Sequence, residues 1–257
     1  MTDPTYTRPP HRSLELGAAT IAFHQLAGIG PGVVFCGGFR SDMTGGKALA
    51  LESWARAGKR AFIRFDYQGH GASSGRFEDG TIGKWTGDAV AVLDRLTTGQ
   101  QILVGSSMGA WIMLLVALAR PERVAGLVAI AAAPDFTEDL VWGTLSAEQR
   151  LTLLDTGALQ IPSEYTSGSA TITNDLINEA RRHLLLRDPI DLHCPVRLLH
   201  GMNDPDVPWQ TSTRLANCLK SADVRLTLIK DGDHRLSRDQ DIALLLRTVD
   251  EMVAACG

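Results

Sequence analysis

The segment QILVGSSMGAWIML (Gln101–Leu114) changes character in its middle, and this change decides the fold. It opens with a β-rich run, passes through the small residues around Ser107, and continues as a long apolar segment. A G-x-S-x-G motif between a strand and a helix is a tight turn that raises a serine hydroxyl above a sheet. The first amides of such a helix point towards developing negative charge. Ser107 is therefore the predicted nucleophile.

A second match to the same motif is GASSG, with Ser73 at its centre. It follows the loop-like sequence FDYQGHG and leads into RFEDG, without a helical pattern after it. Because turn-forming residues surround it on both sides, we interpret this match as a loop.

Strand-like runs alternate with helical patterns along the chain. Strands are predicted at Ser13–Leu16, Ala19–Leu26, Val33–Cys36, Ala61–Phe65, Ile102–Val104, Val124–Ile130, Val196–His200 and Val224–Ile229. Helices are predicted near Lys47–Ala57, Lys84–Leu96, Ser107–Ala119, Gln210–Leu219 and Asp239–Val253. Unbroken Val/Ile/Leu runs are typical of parallel strands buried on both faces. The pattern predicts an α/β fold with a mostly parallel eight-stranded sheet, helices on both faces, and an antiparallel pair at one edge.

One segment interrupts this alternation. Residues 134–187 contain no convincing strand but two or three helical patterns, and Ser146–Gln149 resembles a capping box. We predict a small helical cap at 134–187, inserted into a core formed by 1–133 and 188–257. Its apolar residues could line a pocket or only join the cap to the core: Trp142, Leu145, Leu151, Leu153, Leu154 and Leu159.

A serine at neutral pH needs a base that removes its proton and an acid that orients the base. In a strand–elbow–helix architecture these partners follow in the order Ser, acid, His. His234, in KDGDHRLS, comes after the final strand and is the predicted base. The remaining histidines are interpreted as surface or structural residues: His11, His24, His70, His183, His193 and His200.

Three carboxylates are candidates for the acid. Asp204 directly follows a strand end and can turn back towards His234, so we favour it. Asp206 is expected to point away or to cap the next helix. Asp135, which follows an earlier strand, remains the third alternative.

Two backbone amides are expected to bind the oxyanion. One is the N–H of Met108, directly after the nucleophile, and the other is the N–H of Phe39 in the glycine-rich loop after Val33–Cys36. Gly38, Arg40 and Trp142 are candidate substrate-binding residues, although Arg40 could equally be an ordinary surface arginine.

The same loop, GGFRSDMTGGKA, could be taken for a phosphate-binding loop. It fails that pattern because Ser41 occupies the position of the first glycine and Ala48 follows Lys47. No metal or organic cofactor is expected.

Bulk composition narrows the class of protein. The chain has 257 residues and a net charge of −4, which argues against nucleic acid or an anionic membrane as partner. No apolar stretch approaches the roughly 18 residues of a membrane span. The first residues, MTDPTYTRPPHRSLEL, lack the apolar core of a secretory signal, and four separated cysteines indicate reduced thiols. These features predict a cytoplasmic protein.

Taken together, these motifs resemble the α/β-hydrolase family. Further similar segments are GGKALALESWA, IRFDYQGHGASSG, CPVRLLHGMNDPDVPW and DGDHRLS. They look closest to the mitochondrial branch of acyl-protein thioesterases and acyl-glucuronide esterases. The resemblance implies a nucleophile at Ser107, an acid at Asp204 and a base at His234.

The expected activity is hydrolysis of a small-molecule acyl ester or thioester through an acyl-enzyme. Two alternatives remain open at this point. The same residues could hydrolyse carbon–carbon or amide bonds, or the fold could be a ligand-binding module without turnover.

Overall fold

The structure, a computed structural model, describes residues 10–163 and 168–257. Its strands are β1 Arg12–Leu16, β2 Ala19–Leu26, β3 Ile29–Cys36, β4 Arg60–Phe65, β5 Gln101–Ser106, β6 Val124–Ile130, β7 Ala158–Ser163, β8 Gly168–Thr173, β9 Val196–Gly201 and β10 Val224–Ile229. Its helices are α1 Gly46–Ala57, α2 Ile82–Leu96, α3 Met108–Ala119, α4 Ala147–Thr156, α5 Asn174–Ala180, α6 Gln210–Cys218 and α7 Asp239–Cys256.

Eight of the strands form one sheet in the order β1-β2-β4-β3-β5-β6-β9-β10. The pairs from β4 onwards are parallel, whereas β1 pairs antiparallel with β2 and β2 pairs antiparallel with β4. The predicted mostly parallel sheet with an antiparallel edge is therefore confirmed. The largest difference in strand bounds is in β3, which begins at Ile29 rather than Val33.

Side chains alternate across the sheet and create two apolar layers. From β3, Val33 and Phe35 pack in the layer that includes residues of α1 and α7. Val34 and Cys36 point the other way, into the layer that includes α2 and α3. Both faces of the sheet are thus covered, which explains the unbroken apolar runs of the central strands. Among the described helices, none is both long and apolar enough to cross a membrane.

The segment between β6 and β9 is not purely helical. Its capping box is confirmed, since the Ser146 hydroxyl accepts from Gln149 N–H at 3.1 Å and the Gln149 amide oxygen accepts from Ser146 N–H at 2.9 Å. However, β7 and β8 form an antiparallel hairpin, so the prediction of no strand here is wrong. The paired residues Ile161 and Ala170 belong to short alternating runs, which are hard to distinguish from loops by periodicity alone.

Candidate active site

Ser107 lies in a strained turn between β5 and α3. Its φ is 55° and its ψ is −119°, a backbone conformation that is rare for residues other than glycine. The Ser107 N–H donates to the Ile130 carbonyl at 2.8 Å, which ties the turn to the neighbouring strand. A Cβ atom at Gly109 would lie 2.1 Å from the Cys36 carbonyl oxygen. The small residues of the motif are therefore required because the turn packs directly against the end of β3.

A chain of hydrogen bonds connects Ser107 to the base and acid candidates. The His234 Nε2 atom lies 3.1 Å from Ser107 Oγ, and His234 Nδ1 lies 2.8 Å from Asp204 Oδ2. The Asp204 side chain is fully buried, and that of His234 is 13% exposed. The structure thus brings together the three residues predicted as nucleophile, base and acid. Such an arrangement can activate a serine hydroxyl for attack on an acyl carbon.

The Asp204 carboxylate is held at both oxygens. Oδ1 accepts from the N–H groups of Asp206 at 2.9 Å and Val207 at 2.8 Å. Oδ2 lies near His234 and also 3.2 Å from Nε2 of His200. Burial alone would raise the pKa of Asp204, but the hydrogen bonds from His200 and His234 outweigh it and hold that pKa well below its usual range. The Asp204 carboxylate is therefore ionised wherever the protein is folded near neutral pH.

The other two acid candidates have different surroundings. Asp135 is fully buried and accepts from the N–H groups of Leu185 at 2.7 Å and Leu186 at 2.9 Å, where the chain returns from the cap to the core. Asp206 is exposed, yet its carboxylate lies within 4.8 Å of ligand atoms of Asp204 and His234. The expectation that Asp206 points away from His234 is therefore wrong. The backbone N–H of Asp206 donates to Asp204 Oδ1, and this hydrogen bond keeps the loop close to His234.

The glycine-rich loop after β3 lies next to Ser107. A Cβ atom at Gly38 would lie 3.6 Å from the Ser107 Cβ, so the loop backbone is close to the Ser107 side chain. Phe39 follows Gly38 in this loop. Its ring packs edge-on against the rings of Phe77 and Phe136, with distances between ring centroids of 4.8 and 5.6 Å. Met108 is the first residue of α3, so its N–H has no acceptor within the helix. The oxyanion role of the Phe39 and Met108 amides stays a prediction.

His70 contacts the backbone of this loop through a hydrogen bond. It is 3% exposed, and its Nε2 accepts from the Arg40 N–H at 3.3 Å. Burial lowers the pKa of His70 to about 4, so the ring is neutral and can accept this bond. The interpretation of His70 as a structural histidine is confirmed, but its contact with the loop was not predicted. The only sequence signal was its place in the FDYQGHG segment, which turn-forming residues led us to treat as an ordinary loop.

The rejected motif around Ser73 is structural as well. Its hydroxyl accepts from the Ala22 N–H at 2.8 Å and donates to the Asp66 carbonyl at 2.6 Å. Both bonds fasten the loop to the sheet, and the interpretation of this motif as a loop is confirmed.

A cavity of about 660 Å³ opens above Ser107. This volume falls in the range of small-molecule sites. Its apolar wall is formed mainly by residues of the cap and its hairpin, namely Phe136, Leu140, Val141, Ile161, Ala170 and Ile172. Charged side chains also line it, three basic (Arg40, Lys47 and Arg235) and two acidic (Asp42 and Asp206), and all but the half-buried Lys47 are exposed, which marks this side as the mouth. Burial, aided by the charge of Arg235, lowers the pKa of Lys47 to about 8.

Leu140 is a half-buried residue that lines this cavity. It belongs to the π-helical turn Thr137–Val141 and also lines an open groove together with Arg187 and Arg214. One side chain therefore forms a wall that is shared by the cavity and the groove.

Of the three candidate substrate-binding residues, Gly38 and Arg40 line the cavity and Trp142 does not. The Trp142 ring is instead held between the guanidinium groups of Arg150 at 5.0 Å and Arg181 at 4.9 Å. The two alternatives left open for the cap leucines are resolved differently along α4. Leu151 and Leu154 are 61% and 55% exposed, Leu153 is buried in the core, and none of the three lines the cavity.

Comparisons with known proteins identify the family of this chain. The sequence model of the Alpha/beta hydrolase family matches residues 33–247. Similar proteins include the mitochondrial palmitoyl-protein thioesterase ABHD10 of Homo sapiens, 43% identical over 234 residues that span 91% of this chain and 76% of the relative. The form from Mus musculus is 44% identical over 236 residues, spanning 91% and 78%. The predicted resemblance is confirmed.

Solved structures give the same result. Alpha/beta hydrolase domain-containing protein 10 from mouse superposes with a TM-score of 0.91 at 41% identity, covering 97% of this chain and all (100%) of the other. A protein from Agrobacterium vitis S4 that is assigned as a hydrolase gives 0.90 at 42% identity, covering 96% and 100%. The thioesterase relatives are mitochondrial proteins, which contradicts the cytoplasmic location predicted from the N-terminus and the cysteines. That prediction is wrong.

Proposed function

This chain belongs to the Alpha/beta hydrolase family, and we propose that it hydrolyses carboxylic esters or thioesters through an acyl-enzyme on Ser107. The observation that carries the proposal is the bonded series Ser107–His234–Asp204, with distances of 3.1 and 2.8 Å. Relatives at 43% identity are palmitoyl-protein thioesterases, which supports an acyl substrate.

Acylation follows from the geometry of these groups. His234 Nε2 takes the proton of the Ser107 hydroxyl while Oγ attacks the acyl carbon. The buried Asp204 carboxylate stabilises the imidazolium through its bond to Nδ1. The N–H groups of Met108 and Phe39 bind the oxyanion. His234 then returns its proton to the departing oxygen or sulfur, and the acyl group remains on Ser107.

Deacylation uses the same groups in the same order. Water enters the cavity, His234 removes one of its protons, and the resulting oxygen attacks the acyl-serine carbon. Collapse of the oxyanion releases the carboxylic acid and returns the proton from His234 to Ser107.

We assign the acyl chain to the apolar wall of the cavity and the leaving group to its basic mouth. Phe136, Ile161 and Ile172 offer aliphatic and aromatic contact to a chain, while Arg40 and Lys47 lie at the entrance. Each buried methylene contributes about 0.8 kcal/mol, so a fatty acyl group gains most from this wall. The name of the thioesterase relatives favours a fatty acyl thioester over an ester.

The test compares wild type with Ser107→Ala on p-nitrophenyl esters from acetate to palmitate and on the matching acyl thioesters. Turnover should fall by roughly six orders of magnitude in the variant, as when other nucleophiles of this type are removed. Ser73→Ala is the matched control, because it changes the serine of the second motif and should retain activity and labelling by a fluorophosphonate probe.

Other outcomes separate the alternatives. The probe could label Ser107 while the protein hydrolyses no ester but cleaves diketone or aryl-amide substrates. This result would show that the same three residues catalyse carbon–carbon or amide bond hydrolysis. A folded wild-type protein that neither reacts with the probe nor hydrolyses any substrate would be a ligand-binding module, and the proposal would fail.

A further inference from the structure

We propose that His200 is a positioning residue, which orients the Asp204 carboxylate towards the base. His200 lies in β9, and its side chain is completely buried. Its Nε2 atom lies 3.2 Å from Asp204 Oδ2, the same oxygen that His234 contacts at 2.8 Å. Two imidazole rings therefore meet on one carboxylate oxygen. This inference rests on the proposed function, because it concerns the acid of the same site.

The surroundings of His200 determine which nitrogen carries its proton. Nε2 lies 2.9 Å from the Val207 carbonyl oxygen, which can only accept. Nδ1 lies 2.6 Å from the hydroxyl of Ser212, a buried residue of α6 that can donate. Nε2 therefore carries the proton and donates it to the Val207 carbonyl, while the same polarised N–H lies 3.2 Å from Asp204 Oδ2 and attracts that oxygen.

A donor at this position fixes the rotation of the carboxylate. Oδ1 is already held by two backbone N–H groups, those of Asp206 and Val207. With His200 on the second oxygen, the plane of the carboxylate is set before His234 makes its own bond. A base whose orientation depends on the carboxylate then needs no further adjustment when Ser107 reacts.

The contact with Asp204 comes in addition to the two hydrogen bonds that satisfy the ring nitrogens, those with Val207 and Ser212. The position is also where the acid and base loops meet, because a Cβ atom on the next residue, Gly201, would lie 2.3 Å from the Gly232 carbonyl oxygen. Both partners of the triad are thus anchored at the end of β9.

The experiment uses the full-length protein and three variants. His200→Leu removes the donor, His200→Gln retains an N–H at the position of Nε2, and His193→Leu is the control. His193 is an exposed histidine that precedes the same strand. For each, kcat/KM is measured from pH 5 to 9 on a short p-nitrophenyl ester, with thermal unfolding measured in parallel.

His200→Leu should lower kcat about 10-fold to 100-fold with KM nearly unchanged, the effect of losing one hydrogen bond to a charged group. When the His200 N–H is removed, Asp204 Oδ2 carries more negative charge towards His234. Protonated His234 is then stabilised and should lose its proton at a higher pH than in wild type. The acidic limb of the pH profile should therefore move upward by roughly half a unit or more. His200→Gln should restore most of both values, and the control should match wild type.

A purely structural role predicts something different, namely a lower folded fraction with an unshifted pH profile. A double mutant separates the two directly. If His200 acts through Asp204, adding His200→Leu to Asp204→Ala should produce little further loss of kcat.

Full additivity in that cycle, or a leucine variant with wild-type kcat and pH profile, would overturn the inference. If His200→Leu does not fold, His200→Asn decides, because the shorter amide keeps a polar side chain but withdraws the donor from the position of Nε2. An unshifted pH profile in that variant refutes the positioning role. Failure of the proposed function itself is recognised separately, by a wild-type protein that is inactive at every pH.

Discussion

Replacing Gly109 by alanine tests the geometry of the elbow. The added Cβ would lie 2.1 Å from the Cys36 carbonyl oxygen and 2.4 Å from that of Gly37, whereas Cβ atoms keep at least 3.0 Å from other atoms. Both obstacles are backbone atoms, so no change of rotamer relieves them. The start of α3 and the end of β3 must separate by about 1 Å, and a displacement of that size costs on the order of 100-fold in turnover.

Moving α3 away from β3 would separate two groups of residues that line the site. Ser107 and Met108 move with α3, while the loop that contains Phe39 moves with β3. We therefore expect Gly109→Ala to lose about 100-fold in kcat/KM and to lower the free energy of unfolding by about 1–3 kcal/mol, as for other overpacked sites. Initial rates on p-nitrophenyl butyrate and urea denaturation measure the two quantities.

The matched control is Gly87→Ala in α2, where a new Cβ would have no atom within 4 Å. Alanine should stabilise this helix by up to about 1 kcal/mol and leave the rate unchanged. If Gly109→Ala kept wild-type activity and stability, the close packing of the elbow against β3 would be refuted.

Three further changes test other parts of the site. Asp135→Asn should lower stability by about 2 kcal/mol in urea denaturation while the folded enzyme stays active; lost activity with unchanged stability would make Asp135 the acid. The pKa of His70 is lowered from 6.5 to about 4, so about 3 kcal/mol of stability, complete above pH 6.5, should disappear as pH falls to 4. His70→Gln should flatten this pH dependence in thermal unfolding, and an equally steep curve would contradict the reasoning. Leu140→Ala should move the ester chain-length optimum upward, by roughly fourfold in kcat/KM per methylene newly accommodated; Leu154→Ala, which changes an exposed leucine of the cap, should leave the optimum where it is.

Local patterns were sufficient to predict the sheet and the elbow. Ile102–Val104 followed by the motif around Ser107 specifies a strand, a tight turn and a helix within one continuous segment. His234 could be predicted because chain order and its position after the last strand are also local properties. Neither prediction needs any knowledge of which distant residues come into contact.

The errors concern contacts between distant segments. The sequence left open whether Leu151 and Leu154 line the pocket or join the cap to the core. In the structure both are exposed, and the hairpin residues Ile161 and Ile172 line the cavity. The same limit applies to His200 and His70. Their importance comes from Asp204 and the Arg40 backbone, and no spacing in the sequence indicates either contact.

His234 follows the edge strand of the sheet, and this position affects the stage of folding at which hydrolysis becomes possible. His234 follows β10, which ends the strand order and pairs with β9, while Ser107 follows β5 near the centre. During synthesis Ser107 therefore emerges long before His234, and the proposed mechanism predicts no ester hydrolysis until the last strand has joined the sheet. In the folded protein, local unfolding of the edge strand β10 should abolish hydrolysis before the central strands unfold.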